Sequence, residues 1–143
     1  MAENVNFHFD IDGDNFQSAG EASVRIKKLL RQMEFSPDII RRVSVAMYEG
    51  EINMVIHADG GTADVNVYCD RIEIILADKG PGISDIDLAM QEGYSTAPDD
   101  IRSLGFGAGM GLPNMKRYTD SMQIFSTVGV GTRVVMKVNY ENR

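Results

Sequence analysis

The sequence predicts an α/β domain with a single layer of helices against a sheet. Three observations carry that prediction. Several short segments alternate apolar and polar residues, two longer ones repeat apolar residues at three- and four-residue intervals, and Gly, Pro, Asn and Asp mark the breaks between them.

Val5-x-Phe7-x-Phe9-x-Ile11 reads as a first strand with one buried face. Asp12-Gly13-Asp14-Asn15 interrupts it, and Asn15 or Ser18 offers a cap for a helix reaching about Met33. That helix buries Ala19, Ala22, Ile26, Leu29, Leu30 and Met33. A second helix starts with Ser36 as N-cap and Pro37 at its first position, and runs to about His57 with Ile39, Ile40, Val43, Met47 and Met54 apolar. Asp59-Gly60-Gly61 stops it. Strands at 63–69 and 71–77 follow as a hairpin turning near Asp70. Residues 84–92 suit a short helix, whereas 93–104 are polar and rich in breakers, a composition that inside a compact domain points to a functional or mobile segment. Residues 112–118 form a helix with Pro113 in its first turn. Two last strands, 122–125 and 132–140, flank the turn Val128-Gly129-Val130-Gly131.

A chain of 143 residues suits one domain with a real core, spanning 1–143, and contains no repeat, low-complexity tract or linker. Hydrophobic content of 43% and charged content of 24% are ordinary for a globular protein. The formal charge of −7 argues against non-specific nucleic-acid binding, which draws on basic surface. An anionic ligand must therefore be held by local features. The single cysteine, Cys69, excludes an intrachain disulfide and a multi-Cys zinc site, and its phase with Val65 and Val67 predicts a buried strand thiol. No apolar run approaches the roughly 20 residues that span a bilayer, and the N-terminus lacks a signal-peptide pattern. A cytoplasmic protein without a membrane partner is expected.

Chemistry concentrates in three segments. Glu49-x-x-x-Asn53-x-x-x-His57 lies in the second helix, where four-residue spacing stacks side chains along one face beside the apolar stripe of Val43, Met47, Gly50 and Met54. Asp78-x-Gly80-x-Gly82 closes the apolar run at 72–77 and places a carboxylate where a strand becomes a turn; an Asx-turn alone would also explain it. Gly105-x-Gly107-x-Gly109-x-Gly111 precedes a helix at Leu112, whose free N–H groups suit a polyphosphate. It is neither a dinucleotide fingerprint, with no strand immediately before it, nor a P-loop, with no Gly-Lys-Ser/Thr after it. Glu51 projects from another side of the helix and is expected at the surface.

In this order the segments resemble the N, G1 and G2 boxes of the GHKL ATPase superfamily. The closest match within it is the small bacterial serine kinase and anti-sigma-factor group, and Gly107-Ala-Gly-Met-Gly-Leu-Pro-Asn-Met-Lys-Arg-Tyr-Thr-Asp120 with Gly129-Val-Gly-Thr-Arg-Val134 looks especially like the stressosome-type serine kinases. The resemblance covers most of the chain. It implies a Bergerat-type two-layer sandwich with a mixed, mostly antiparallel sheet and helices on one face. It also implies ATP and Mg²⁺ as ligands, with Glu49 as general base and Asn53 as the metal's side-chain ligand. Asp78 would accept a hydrogen bond from the adenine amine, supported by Thr132, with Gly80 and Gly82 letting the backbone pass close to the base. Gly105, Gly107, Gly109, Gly111 and Leu112 would cradle the phosphates. His57 either touches the nucleotide or closes the helix end, Arg102 is a phosphate candidate that suits exposed surface equally well, and Lys116, a full turn inside its helix, suits surface better than a phosphate role.

The implied function is a serine/threonine protein kinase acting on a partner regulatory protein in a partner-switching or stress-signalling circuit. The alternative is a nucleotide-gated, anti-sigma-type binding protein with little turnover, whose partner is a sigma factor. A homodimer is compatible with either. A histidine-kinase module is disfavoured, because His8 sits in a strand pattern and no dimerisation helix accompanies it. A gyrase- or MutL-like motor would need a transducer domain that the sequence lacks.

Overall fold

A computed structural model describes residues 4–13, 20–58, 60–80, 82, 90 and 111–140, with the side chain of His57 outside the description. Strands β1 (Val5–Asp12), β2 (Gly60–Val67), β3 (Arg71–Ala77), β4 (Ser121–Thr127) and β5 (Gly131–Asn139) form one sheet in the order β1-β2-β3-β5-β4. The expected, mostly antiparallel sheet is antiparallel at every described pairing. Helices α1 (Glu21–Gln32), α2 (Pro37–Ala58) and α3 (Gly111–Arg117) complete the described elements, with α2 packed between the other two.

Alternation sorts the strands into two faces. Phe9, Ala63, Val65, Val67, Ile72, Ile74, Leu76, Val134, Met136 and Val138 are buried on the inner face. Helical periodicity supplies Ile26 and Leu30 from α1, Val43 and Met47 from α2, and Met115 from α3 to the same core. On the outer face Glu73 stands opposite Lys137, and Asn6 hydrogen-bonds Asn66 at 2.8 Å. There His8 contacts Asp64 and Asp10 at 2.8 and 3.2 Å, and these carboxylates raise its pKa.

The cap expected for α2 is present: the Ile39 N–H donates to Ser36 Oγ at 3.3 Å, satisfying one of the helix's free donors. Its N-terminal half is held to the α3–β4 connection by Arg42, which donates to the Tyr118 carbonyl at 3.2 Å and pairs with Asp120 at 3.0 Å. Asp120 also accepts the Asn139 N–H at 2.6 Å, so one carboxylate joins α2 to the end of β5.

Three local expectations need correction. Cys69 is exposed in the turn between β2 and β3, because β2 already ends at Val67 and its alternation does not extend to the thiol. At the other end, β2 begins at Gly60, three residues earlier than expected, since Gly60 and Gly61 pair with Asp12 and Ile11. Val5 is exposed, which fits the outer end of an edge strand that has β2 on one side only. The proposed caps Asn15 and Ser18, together with Ala19, the 84–92 helix and Arg102, lie outside the described residues, apart from Met90. Among the described residues no helix is long and apolar enough to cross a membrane.

Helix α1 ends through Glu34, whose φ of 65° lies in the left-handed region. The Phe35 N–H there reaches back to the Leu30 carbonyl at 3.2 Å. A side chain is disfavoured at that φ and glycine is not. Glu34→Gly is therefore expected to stabilise the fold by about 0.5–1 kcal/mol in urea denaturation. A loss of stability would mean that the Glu34 side chain contributes more than its backbone costs.

Candidate nucleotide site

Helix α2 forms one wall of the candidate site. Successive residues of a helix advance by about 100°, and residues four apart share a face. Glu49 and Asn53 accordingly both look toward α3. Asn53 donates a long contact to Met115 Sδ at 3.9 Å. Gly111, the first residue of α3, lies so close that an added Cβ would sit 2.8 Å from both Asn53 Oδ1 and Nδ2. A side chain at position 111 would require that amide to shift.

Glu49 is half-buried between α2 and α3. Burial raises its pKa, and a hydrogen bond from Asn114 opposes the rise. Asn114 is itself held, since its side-chain oxygen accepts from Arg117 at 3.2 Å. The sequence reading missed Asn114. Its signal was position: three residues after Gly111 on a short helix facing α2, where a polar side chain falls opposite Glu49.

The second cluster forms where β3 ends. Asp78 Oδ1 accepts the Gly80 N–H at 2.9 Å, which makes the Asx-turn, and the Thr132 N–H at 3.2 Å. The Asp78 N–H donates to the Thr132 carbonyl at 2.9 Å. Thr132 Oγ1 lies 2.9 Å from Ser126 Oγ. The side chain is thus tied by one oxygen, while no described residue donates to Oδ2. Gly80 packs against Ala58, the last residue of α2, and Gly82 follows with a φ of 80°. From Asn53 to Ala58 the helix rises about 7 Å, so one helix carries the amide and abuts the Asp78 turn.

The structure therefore joins Glu49, Asn53 and Gly111 in one group and Asp78, Gly80 and Thr132 in another. Leu112 is partly buried in the first turn of α3, and Lys116 is exposed in its last. His57 occupies the final turn of α2, and Gly105, Gly107 and Gly109 lie outside the described residues. Glu51, expected at the surface, is 1% exposed. It accepts N–H groups of Gly20, Ala22 and Ser23 at 3.0, 3.2 and 2.7 Å, because α1 begins without a side-chain cap of its own.

These features fit a metal-bound triphosphate with an adenine base. A neutral amide stands beside Gly111, and a carboxylate presents an oxygen that no described donor uses. The family model for histidine kinase-, DNA gyrase B- and HSP90-like ATPases matches residues 38–142, and the chain belongs to that family. Among known proteins it is 33% identical over 127 residues to an anti-sigma F factor of Clostridium novyi (strain NT), covering 85% of each chain. It is 30% identical over 112 residues to the serine/threonine-protein kinase RsbT of Bacillus subtilis (strain 168), covering 76% of this chain and 78% of that one. In fold it resembles the mycobacterial sensor histidine kinase MprB, with a TM-score of 0.53 at 14% identity over 97% of this chain and all of the other.

Because the folded pKa of Glu49 is raised, its ionisation costs nothing below the unfolded value, and the cost builds as pH rises between the two values and is complete above the folded one. Glu49→Gln removes that cost. The variant is expected to melt higher than the parent at pH 8 and to lose the advantage towards pH 4. An equal difference at both pH values would mean that Glu49 is not desolvated.

Proposed function

We propose that the protein binds Mg-ATP and transfers the γ-phosphoryl group to a serine or threonine hydroxyl of a partner regulatory protein. The observation that carries this reading is the half-buried Glu49 one helical turn from Asn53, with Gly111 held against the Asn53 amide. Asn53 would hold Mg²⁺, which when bound supplies charge neutralisation at the phosphate oxygens. Asp78 would receive the adenine amine on Oδ2, while its bonds from Gly80 and Thr132 fix the carboxylate's orientation. Asp78 as base reader, Gly80 and Gly82 beside it, and Gly105, Gly107, Gly109, Gly111 and Leu112 as the phosphate cradle complete the assignment, with Thr132 in support.

Glu49 would take the proton of the acceptor hydroxyl. A carboxylate with a raised pKa is a better base than an exposed one, provided that it remains ionised at working pH. The Asn114 hydrogen bond favours that ionised form and aims it. Transfer to a serine or threonine is consistent with the name of the RsbT relative, a serine/threonine-protein kinase, and a cytoplasmic partner-switching circuit is the setting proposed for it.

A second reading has its own support. Several relatives carry the name anti-sigma F factor. In this reading nucleotide occupancy sets the affinity for a sigma factor and turnover is slight. Incubation with γ-labelled ATP and candidate partners separates the two: label on the partner means transfer, while nucleotide-dependent retention without label means a binding switch.

The residue roles set three expectations. Asp78→Asn is expected to weaken ATP binding by about 1.5–3 kcal/mol, the range for a hydrogen bond to a charged group, in titration calorimetry. Equal affinity of the parent protein for ATP and GTP would contradict the role of Asp78. Glu49→Gln is expected to keep ATP binding within about threefold while transfer falls at least 100-fold, the range of general-base catalysis. Its acid limb matters as well. Transfer by the parent is expected to decline, as the pH falls, at a value above the ordinary glutamate range, because the raised pKa protonates the base early. A limb within the ordinary range would indicate an exposed base.

A further inference from the structure

Three consecutive residues at the middle of α2 meet three different neighbours. Glu49 faces α3 through Asn114. Gly50 faces the sheet, where an added Cβ would overlap Leu76 and lie 3.5 Å from Met115 Cε. Glu51 faces α1, whose Gly20, Ala22 and Ser23 N–H groups it accepts. At about 100° per residue these contacts span some 200° of the helix circumference. Tyr48, one turn before Glu51, reinforces the α1 side with its ring against Gly20.

The three contacts differ in kind. Packing at Gly50 sets how near α2 lies to the sheet, but a glycine offers no side chain to resist rotation. The contacts of Glu51 are directional: both oxygens are engaged, at 2.7–3.2 Å, in a site 1% exposed. Rotating α2 by about 20° would move a group 5–6 Å from its axis by about 2 Å. A misplacement of 1 Å in a reacting group is enough to cost about 100-fold in rate.

We infer that Glu51 is a positioning residue for Glu49: by capping α1 from α2, its carboxylate sets the rotation of α2 that aims Glu49 at Asn114. The inference rests on the reading of Glu49 as the base, but its geometric half stands apart from that reading. Glu51 does not touch the reacting groups. A cap supplied from within α1 would have sufficed to end that helix; Gly20 supplies none, and the acceptor comes from the helix that carries Glu49.

The test compares Glu51→Gln, which keeps a single carbonyl acceptor, with Val138→Ala, a core variant on β5 that lowers stability without touching α2's polar contacts. Glu51→Asp, which retains both oxygens on a shorter stem, serves as the conservative variant. The Asn114 side-chain amide resonance, assigned with Asn114→Asp, reports the Glu49 contact without any need for turnover. It is expected to shift in Glu51→Gln in the same direction as in Glu49→Gln, and to stay in place in Val138→Ala. In the same preparations Glu51→Gln is expected to bind ATP within about twofold of the parent and to transfer phosphate at least tenfold more slowly, with Glu51→Asp recovering part of the rate. An unmoved Asn114 amide in Glu51→Gln, or an equal shift in Val138→Ala, would overturn the inference. A shifted amide in a protein whose parent transfers no phosphate would uphold the positioning and reject Glu49 as a base.

Discussion

The close seating of α2 on the sheet is the constraint from which the rest of the structure follows. Gly50 lets the helix approach Leu76 without an intervening side chain, so its two polar flanks fall within reach of α1 and α3. Val43, Met47 and Met54 continue that buried stripe along the helix. A side chain at position 50 would meet Leu76 and Met115 and require a shift at this contact. The proposed chemistry and the scaffold are thus carried by one helix.

The site is built from two halves that meet at this helix. One half, Glu49 and Asn53 against α3, is polar, half-buried and close-packed at Gly111. The other is a carboxylate at a strand end, fixed by backbone donors from its own turn and from β5. The antiparallel neighbour relation of β3 and β5 brings Thr132 to Asp78 across 54 residues of sequence. A ligand spanning both halves would read the sheet with one end and the helix with the other.

Much of the fold was legible in local pattern. Period-two alternation located the five strands to within a few residues, and Ser36-Pro37 marked the start of α2 because cap and first-turn signals are set by neighbouring residues alone. The pairing of Asp78 with Thr132 was legible only through resemblance, since nothing local joins a strand end to a distant strand. Glu51 was not legible. Its neighbours on α2 place it off the apolar stripe, and its partners are backbone N–H groups, which leave no trace in a sequence. Burial of a charge is rare unless it is paired, so the expectation of exposure was reasonable and the structure overrode it by supplying three donors. Cys69 failed for a simpler reason: alternation shows phase but not where a strand stops.

In the proposed function this helix and this strand end together hold a metal-bound adenine nucleotide for transfer. A crystal structure with a non-hydrolysable ATP analogue and Mg²⁺ would locate each group. The adenine amine is expected on Asp78 Oδ2, the metal on Asn53, and the terminal phosphate on the Glu49 side of α2. A nucleotide bound elsewhere, or one whose base avoids Asp78 and whose metal avoids Asn53, would contradict that function.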